Sequence, residues 1–295
     1  MGDYAAFARE HGLDFATAVL YSRIVRNEET VRFLASTANG AKPAVSRIAI
    51  VPGAFHREYK STGADGARFA AMARTMGLEA DVIPTAAFGR TEENARIILD
   101  WLAAQSQPVA LVSLSKGTTD VLRALALPDA PAIFEKIPAW LSVSGLFHGT
   151  PLIAWLRRQR LRHLAVRALL WWKRHPRATL DDLRHAPATV AVPPHLHIVH
   201  VCAFPLHRHL SHEWAPRAYE RLAPLGPNDG GGILLSDALR LPGIICPIWA
   251  ADHYLAPRWD ITPSLTGIIA ASLAPRHAIA SASHPSSSPA GKSSA

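Results

Sequence analysis

The chain has 295 residues, 49% hydrophobic and 18% charged, which is the composition of a globular protein rather than a disordered one. No apolar run approaches the roughly 18 residues of a membrane-spanning helix, and the first residues lack the basic and apolar regions of a secretory signal. The net charge of +8 arises mostly between Pro151 and His185, where nine Lys and Arg residues face two Asp residues. This indicates a local basic face rather than a polyanion-binding surface, so we expect no nucleic-acid partner.

The first predicted element is a helix from Asp14 to Ala38, which has apolar residues at helical spacing. A strand follows at Arg47 to Val51 and ends abruptly in Pro52-Gly53. Helices and strands then alternate. The predicted helices cover Gly63 to Met76, Glu92 to Ala104 and Thr118 to Leu127, and the further predicted strands cover Ala80 to Pro84, Val109 to Leu114, Ala139 to Ser144, His197 to Ala203 and Pro247 to Ala251.

Most of these strands are short apolar runs without polar alternation, which is typical of strands covered on both faces. Alternation with helices predicts an α/β fold with a mostly parallel central sheet and helices on both faces. We divide the chain into an N-terminal helical segment (1–46), a main domain (47–275) with a helical cap insertion at about 151–194, and a Ser-, Ala- and Pro-rich tail (276–295) predicted to be disordered.

The segment around Ser115 carries the clearest chemical signal. A buried strand, Val109 to Leu114, runs into Ser115-Lys116-Gly117 and then into a helix. Acyl transfer needs a hydroxyl held above a helix N-terminus, and a sharp strand-turn-helix flanked by small residues supplies that position. Ser113 stands where this elbow pattern usually has its first glycine, so the pattern here is Ser-x-Ser-x-Gly.

A histidine and a carboxylate follow Ser115 in the chain. His253 comes just after a predicted strand, on the sheet edge where open α/β sheets place their sites. Asp229 lies in the loop Gly226-Pro227-Asn228-Asp229-Gly230-Gly231. The order of nucleophile, acid and base favours a Ser-His-Asp constellation, although Asp229 alone is also typical of an Asp-Gly turn and His253 of a surface histidine.

At these residues the chain resembles the α/β-hydrolase superfamily, and within it the lipase and esterase-like members. The resemblance covers roughly Arg47 to Pro275. It rests on the Ser115 elbow, Val51-Pro52-Gly53-Ala54-Phe55, Asn228-Asp229-Gly230, Asp252-His253-Tyr254-Leu255 and, more weakly, Ser144 to Pro151 with its His-Gly-Thr-Pro end.

The resemblance implies a role for each matched residue. Ser115 would be the nucleophile, His253 the general base and Asp229 its acidic partner. The backbone N–H groups of Lys116 and Ala54 would be the oxyanion donors. Asp237 and Asp252 remain alternatives for the acid.

The function expected from these features is cleavage of a carboxylic ester, of a lipid or another apolar acyl group, through an acyl-enzyme on Ser115. A thioesterase or acyltransferase with the same residues is an alternative, as is a hydrolase-fold protein that binds a ligand without catalysis. No cofactor is expected. The histidines at 195, 197 and 200 lack the spacing of a zinc site.

Cys202 and Cys246 are expected to be buried free thiols, and the expected compartment is the cytoplasm.

The basic insertion allows two interpretations. One set of apolar residues could form the inner side of cap helices packed over the site, leaving a solvated basic face: Leu152, Ile153, Leu156, Leu164, Leu169, Trp155, Trp171 and Trp172. Alternatively, its basic residues and tryptophans could meet an anionic lipid surface, which would make the protein a peripheral membrane partner. The sequence does not indicate an oligomeric state.

Overall fold

A computed structural model describes residues 3–37, 43–184, 190–257 and 259–274. Its sheet has six strands in the order β2-β1-β3-β4-β5-β6, and every neighbouring pair is parallel. The strands are β1 Arg47–Val51, β2 Glu79–Val82, β3 Ala110–Leu114, β4 Ala139–Val143, β5 His197–Phe204 and β6 Ile244–Trp249. The predicted parallel α/β sheet is therefore confirmed.

Helices cover both faces of this sheet. Successive strand residues point to opposite faces, so Ile48 and Ile50 of β1 pack on one side and Ala49 and Val51 on the other. The described residues form twelve α-helices: α1 Tyr4–His11, α2 Leu13–Val25, α3 Glu28–Thr37, α4 Ala67–Thr75, α5 Thr91–Ala103, α6 Lys116–Leu125, α7 Ala130–Phe134, α8 Pro151–Arg158, α9 Arg160–Trp172, α10 Thr179–Arg184, α11 Ala215–Leu222 and α12 Thr262–Ser272.

Two apolar cores result, one on each side of the sheet. Helices α3, α4 and α12 contribute Phe33, Phe69 and Ile268 to one core. Helices α5, α6 and α7 contribute residues such as Ile98 and Phe134 to the other. Burial of each such side chain stabilises the fold by roughly 1.5–3 kcal/mol, so the sheet forms a rigid base for the loops at its carboxyl edge.

The predicted helix from Asp14 to Ala38 is two helices, α2 and α3. The break falls at Asn27, whose Oδ1 accepts hydrogen bonds from the N–H groups of Glu29 and Thr30 and so begins a new helix. Thr30 then donates from Oγ1 to the carbonyl of Ile245, which ties α3 to β6. Ala38 lies outside the described residues.

Three helices, α8 to α10, lie between β4 and β5 and form what we call the cap (151–184). Ile153, Leu170, Leu180 and Leu183 of the cap are buried against Phe88. The expected inward packing is wrong for four of the residues assigned to it. Leu164, Leu169, Trp171 and Trp172 are exposed, at 60%, 47%, 67% and 74% respectively. Leu161, which was not assigned to the inner side, is 84% exposed.

Other predictions have mixed outcomes. Cys202 and Cys246 are free and buried, and burial raises the pKa of the Cys202 thiol to about 12. No helix among the described residues is long and apolar enough to cross a membrane. The tail predicted to be disordered (276–295) lies outside the described residues, and the domain division stays a prediction.

Candidate active site

Ser115 occupies a sharp turn between β3 and α6. Its backbone has φ +46° and ψ −113°, a conformation that L-residues adopt only under strain, at a cost of about 1–3 kcal/mol. Gly117 makes the turn sterically feasible, because a Cβ there would lie 2.5 Å from the carbonyl oxygen of Val51. The N-terminus of α6 thus lies directly against the end of β1, and Ser115 lines a cavity at this edge of the sheet.

Ser113, at the position usually held by glycine, faces away from this turn into a buried polar network. Its Oγ accepts a hydrogen bond from Trp140 Nε1 at 2.8 Å and lies 2.8 Å from Thr118 Oγ1. Thr118 Oγ1 in turn lies 3.0 Å from Ser142 Oγ. Serine is tolerated at position 113 because these neighbours satisfy its hydroxyl group, which would otherwise be costly to bury.

His253 and Asp229 complete a hydrogen-bonded chain that begins at Ser115. His253 Nε2 lies 3.0 Å from Ser115 Oγ, and His253 Nδ1 lies 2.5 Å from Asp229 Oδ2. The other carboxylate oxygen, Asp229 Oδ1, accepts backbone N–H bonds of 2.9 to 3.0 Å from Gly231, Gly232 and Ile233. The backbone N–H of His253 also donates to the Asp229 carbonyl at 2.8 Å, so both ends of the pair are fixed.

The other two candidate acids do not reach the imidazole. Asp237 pairs with Arg240 on the surface. Asp252 is buried, but its Oδ2 accepts hydrogen bonds from the backbone N–H groups of Ser211 and His212, and its Oδ1 from that of Tyr254. Of the three carboxylates, the structure brings Asp229 to His253 Nδ1.

The charges of the buried pair support each other. Burial alone would lower the pKa of His253, but the Asp229 carboxylate outweighs this and holds that pKa above its usual value. Burial would raise the pKa of Asp229, but the imidazole and the backbone N–H donors hold it below its usual value. His253 is therefore basic enough to take a proton from Ser115 while Asp229 stays ionised.

Two backbone N–H groups lie beside Ser115 without an acceptor. Those of Lys116 and Ala54 make no hydrogen bond within the described residues, whereas Gly53 and Phe55, on either side of Ala54, donate to Ala64 and Ala87. Ala54 lines the same cavity as Ser115. Unpaired donors at a helix N-terminus and at the end of β1 can stabilise negative charge that develops next to the serine.

The Lys116 side chain was not singled out from the sequence, yet it is almost completely buried. Its Nζ lies 2.7 and 2.8 Å from the two carboxylate oxygens of Asp120. Asn94 donates a hydrogen bond to Asp120 at 2.9 Å, and its side chain also pairs with the N–H and the carbonyl of Ala86. The next residue, Ala87, accepts a hydrogen bond from the N–H of Phe55, which follows Ala54. One buried network therefore links the segments that carry the two free N–H groups.

The cavity above Ser115 has a volume of about 500 Å³ and is lined mostly by apolar side chains, among them Phe55, Phe88 and Leu170. Its wall includes Ser144, which follows β4, has φ +43° and is 3% exposed. Within the described chain, the Ser144 hydroxyl is the one buried side-chain polar atom that lacks a hydrogen-bond partner. The oxygen itself is covered, so Ser144 places an unpaired polar group in the wall of an otherwise apolar space.

Gly231 sets the position of the imidazole. A Cβ at this residue would lie 2.0 Å from His253 Cγ, too close for the ring to stay in place. Gly231→Ala should therefore displace His253 and lower kcat/KM of any reaction in which its imidazole acts as the base by about 10²-fold, the penalty typical of a misplacement of about 1 Å. The measurement is steady-state hydrolysis of a chromogenic ester.

Gly77→Ala is the control for the Gly231 change. A Cβ at Gly77 meets nothing within 4 Å, although its φ of +78° makes any side chain strained. This variant should lose some stability but keep its activity. Equal activity in the two alanine variants would contradict the role assigned to Gly231.

The three histidines near β5 bind backbone carbonyls. His195 contacts Phe134 at 2.9 Å, His197 contacts Ser272 at 3.3 Å and His200 contacts Pro242 at 2.8 Å. Burial lowers the pKa of His200 to about 4, so this side chain stays neutral. Among the described residues, no group of three His, Cys, Asp or Glu side chains is arranged to hold a metal ion.

Comparison with known proteins identifies the fold. A carboxyl esterase of metagenomic origin matches over 82% of this chain and 75% of its own length, with a TM-score of 0.56 and 23% identity. The mature form of a lipase from Bacillus licheniformis matches over 78% of this chain and 90% of its own, with a TM-score of 0.50 and 17% identity. No family model and no curated protein matches the chain. At these identities the likeness establishes the fold alone: the chain has the α/β-hydrolase fold.

Proposed function

We propose that this protein is a serine esterase that cleaves carboxylic esters of apolar acyl groups through an acyl-enzyme on Ser115. The observation that carries the proposal is the chain from Ser115 Oγ through His253 to Asp229, with separations of 3.0 and 2.5 Å, at the base of an apolar cavity. These are the contacts by which a base activates a serine and a carboxylate orients the base. The structural likeness to an esterase and a lipase agrees with ester cleavage.

Acylation begins when Ser115 Oγ attacks the ester carbon and His253 Nε2 takes the hydroxyl proton. The carbonyl π electrons move to oxygen, and the resulting oxyanion accepts hydrogen bonds from the free N–H groups of Lys116 and Ala54. When the bond between the acyl carbon and the alkoxy oxygen breaks, the imidazolium returns its proton to the leaving alcohol. The acyl group is then bonded to Ser115, and His253 is neutral again.

Deacylation repeats these steps with water. His253 Nε2 takes a proton from a water molecule as that water attacks the acyl carbon, and it then returns a proton to Ser115 Oγ as the acid departs. Asp229 keeps its charge throughout, because its role is to hold the Nδ1–H tautomer and to stabilise the imidazolium. Each free N–H donor contributes about 10²- to 10³-fold to the rate in comparable sites.

The apolar cavity predicts a preference for longer acyl chains. Each methylene group buried is worth about 0.8 kcal/mol, so kcat/KM should rise about fourfold for each added methylene until the cavity is filled. Initial rates on a series of p-nitrophenyl esters from acetate to palmitate measure this directly.

The same series can contradict the proposal at two levels. A maximum at acetate would rule out the apolar acyl pocket while leaving the esterase chemistry intact. No turnover of any ester would contradict the chemistry itself. Mass analysis of the products with an added alcohol acceptor would show whether the acyl group passes to water or to the acceptor.

A further inference from the structure

The outer surface of helix α9 in the cap is apolar, although it faces solvent. Six residues at positions i, i+3, i+4, i+7, i+10 and i+11 share one side of a helix with 3.6 residues per turn. All six are exposed, and together they form what we call the outer stripe: Leu161, Leu164, Ala165, Ala168, Trp171 and Trp172. Trp171 and Trp172 alone are 67% and 74% exposed.

The opposite side of the same helix faces the cavity. Val166 and Leu170 line it, and Leu170 is 4% exposed. Helix α9 is therefore apolar on two sides, one of which covers the space above Ser115. The outer stripe takes no part in covering the cavity or in the core of the cap, so its exposure needs another reason.

Basic residues border the outer stripe on both edges. Helical geometry places Arg160 and Arg167, seven residues apart, along one edge, and Arg162 along the other. All three are exposed. The sequence from Pro151 to Arg174 contains no Asp or Glu, so no acidic side chain on α8 or α9 neutralises this charge.

Charge decides between two occupants of this surface. A second copy of the chain packed stripe against stripe would bring these rows of arginine together, which is repulsive. The nearby carboxylates of Asp181 and Asp182 are already paired with Arg157 and Arg90. An anionic lipid surface instead offers phosphate groups for the basic edges and an apolar layer for the leucines and tryptophans between them.

We propose that the outer stripe of α9 docks on anionic membrane surfaces. The helix lies in the plane of the interface, with Leu161, Leu164, Trp171 and Trp172 inserted below the headgroups and its arginines at the phosphates. The same helix covers the cavity above Ser115, so docking places the lipid next to the wall of that cavity. The proposal does not depend on the esterase function, because it requires only that α9 be exposed.

Vesicle flotation of the full-length protein tests the docking. Binding should be strong to vesicles made of equal parts phosphatidylglycerol and phosphatidylcholine, and weak to phosphatidylcholine alone. Arg160→Gln with Arg167→Gln should weaken binding to the anionic vesicles by about fivefold for each arginine removed, since each basic residue near such a surface contributes about that factor. Rising salt should reduce the difference between the two kinds of vesicle.

A tryptophan variant tests the inserted face. Trp171→Ser with Trp172→Ser should lower binding to anionic vesicles more than tenfold and remove the blue shift of tryptophan fluorescence on binding. Trp259→Ser is the matched control, because Trp259 is 46% exposed and lies outside the cap. The variant with both Trp171 and Trp172 replaced should unfold at the same urea concentration as the unchanged protein, since these two rings are largely exposed.

Three results would overturn the proposal. The first is equal binding to neutral and anionic vesicles, and the second is equal loss in the Trp259→Ser control. The third is a dimer in sedimentation velocity, without vesicles, that the Trp171 and Trp172 changes abolish, since the outer stripe would then contact a second copy. Ser115→Ala protein should bind vesicles as the unchanged protein does, which separates a failure of docking from a failure of the proposed catalysis.

Discussion

Replacing Ser115 by alanine should lower kcat for ester hydrolysis by about 10⁶-fold, the loss seen when a serine hydrolase loses its nucleophile. The hydroxyl lies 3.0 Å from His253 Nε2, and no other hydroxyl is recorded within hydrogen-bond distance of that nitrogen among the described residues. The turn geometry and the cavity remain in the variant, so a small rate above that of water should persist from the free N–H groups. Stopped assays with long incubation measure this residual rate.

The double change Ser115→Ala and His253→Ala should be scarcely slower than either single change. Groups that act together in one step lose their effect together, so their contributions do not add. Independent losses that multiply would mean that the two side chains act in different steps, contrary to the proton transfer described above.

A fluorophosphonate probe separates catalysis from binding alone. The unchanged protein should react at Ser115, as peptide mapping would show, and Ser115→Ala should not react. Ser106→Ala, which changes an exposed serine before β3, should react normally. If the unchanged protein reacts no better than Ser115→Ala, the chain is a binding protein of the α/β-hydrolase fold rather than an enzyme.

Most strands of the sheet were predictable because they are short apolar runs that are buried on both faces. The edge strand β2 is the exception, since it contains Glu79 and Asp81 and none of its residues is fully buried. Ile48 and Ala49 belong to different cores, yet both are apolar. The strand can therefore be recognised in the sequence as an unbroken apolar run, whichever core each residue joins. The helices were less predictable. The break between α2 and α3 depends on one side-chain cap at Asn27, and short α7 leaves little periodic signal.

The cap was predicted as helical, but its orientation was not. Helix α9 has apolar residues on two sides, so its periodicity cannot say which side faces the protein. Leu170 and Trp171 are adjacent in sequence, yet one is 4% and the other 67% exposed. The orientation follows from contacts with the segment around Phe88, far away in the chain.

The candidate site was predictable as a set of residues but not as a network. Ser115, Asp229 and His253 follow from a local turn and from chain order, which give no distances. Ser144 carries no motif, and its free hydroxyl is visible only once β4 and the cavity wall are assembled. The Lys116–Asp120 pair has the i, i+4 spacing of an ordinary surface pair, and only the fold reveals that it is buried.

Asp229→Asn should lower kcat by about 10⁴-fold, because the surroundings fix the orientation of the new amide. Three backbone N–H groups point at the position of Oδ1, so the amide oxygen must stay there and the NH₂ group must face His253 Nδ1. An NH₂ group donates, so Nδ1 has to accept and the imidazole proton moves to Nε2. There it points at Ser115 Oγ, and the histidine can no longer take the serine proton.

The pH profile gives this change a second signature. In the unchanged protein kcat/KM should fall as pH drops through the pKa of His253, which Asp229 holds above the usual value. Without that carboxylate the imidazolium loses its stabilising partner, so the acid limb of the residual activity should move to lower pH. Asp237→Asn, on a carboxylate that pairs with Arg240 instead, should leave both the rate and the profile unchanged. If Asp237→Asn lost about 10⁴-fold in kcat while Asp229→Asn stayed active, Asp229 would not be the acid. Only the carboxylate that pairs with His253 Nδ1 can set the tautomer of the imidazole.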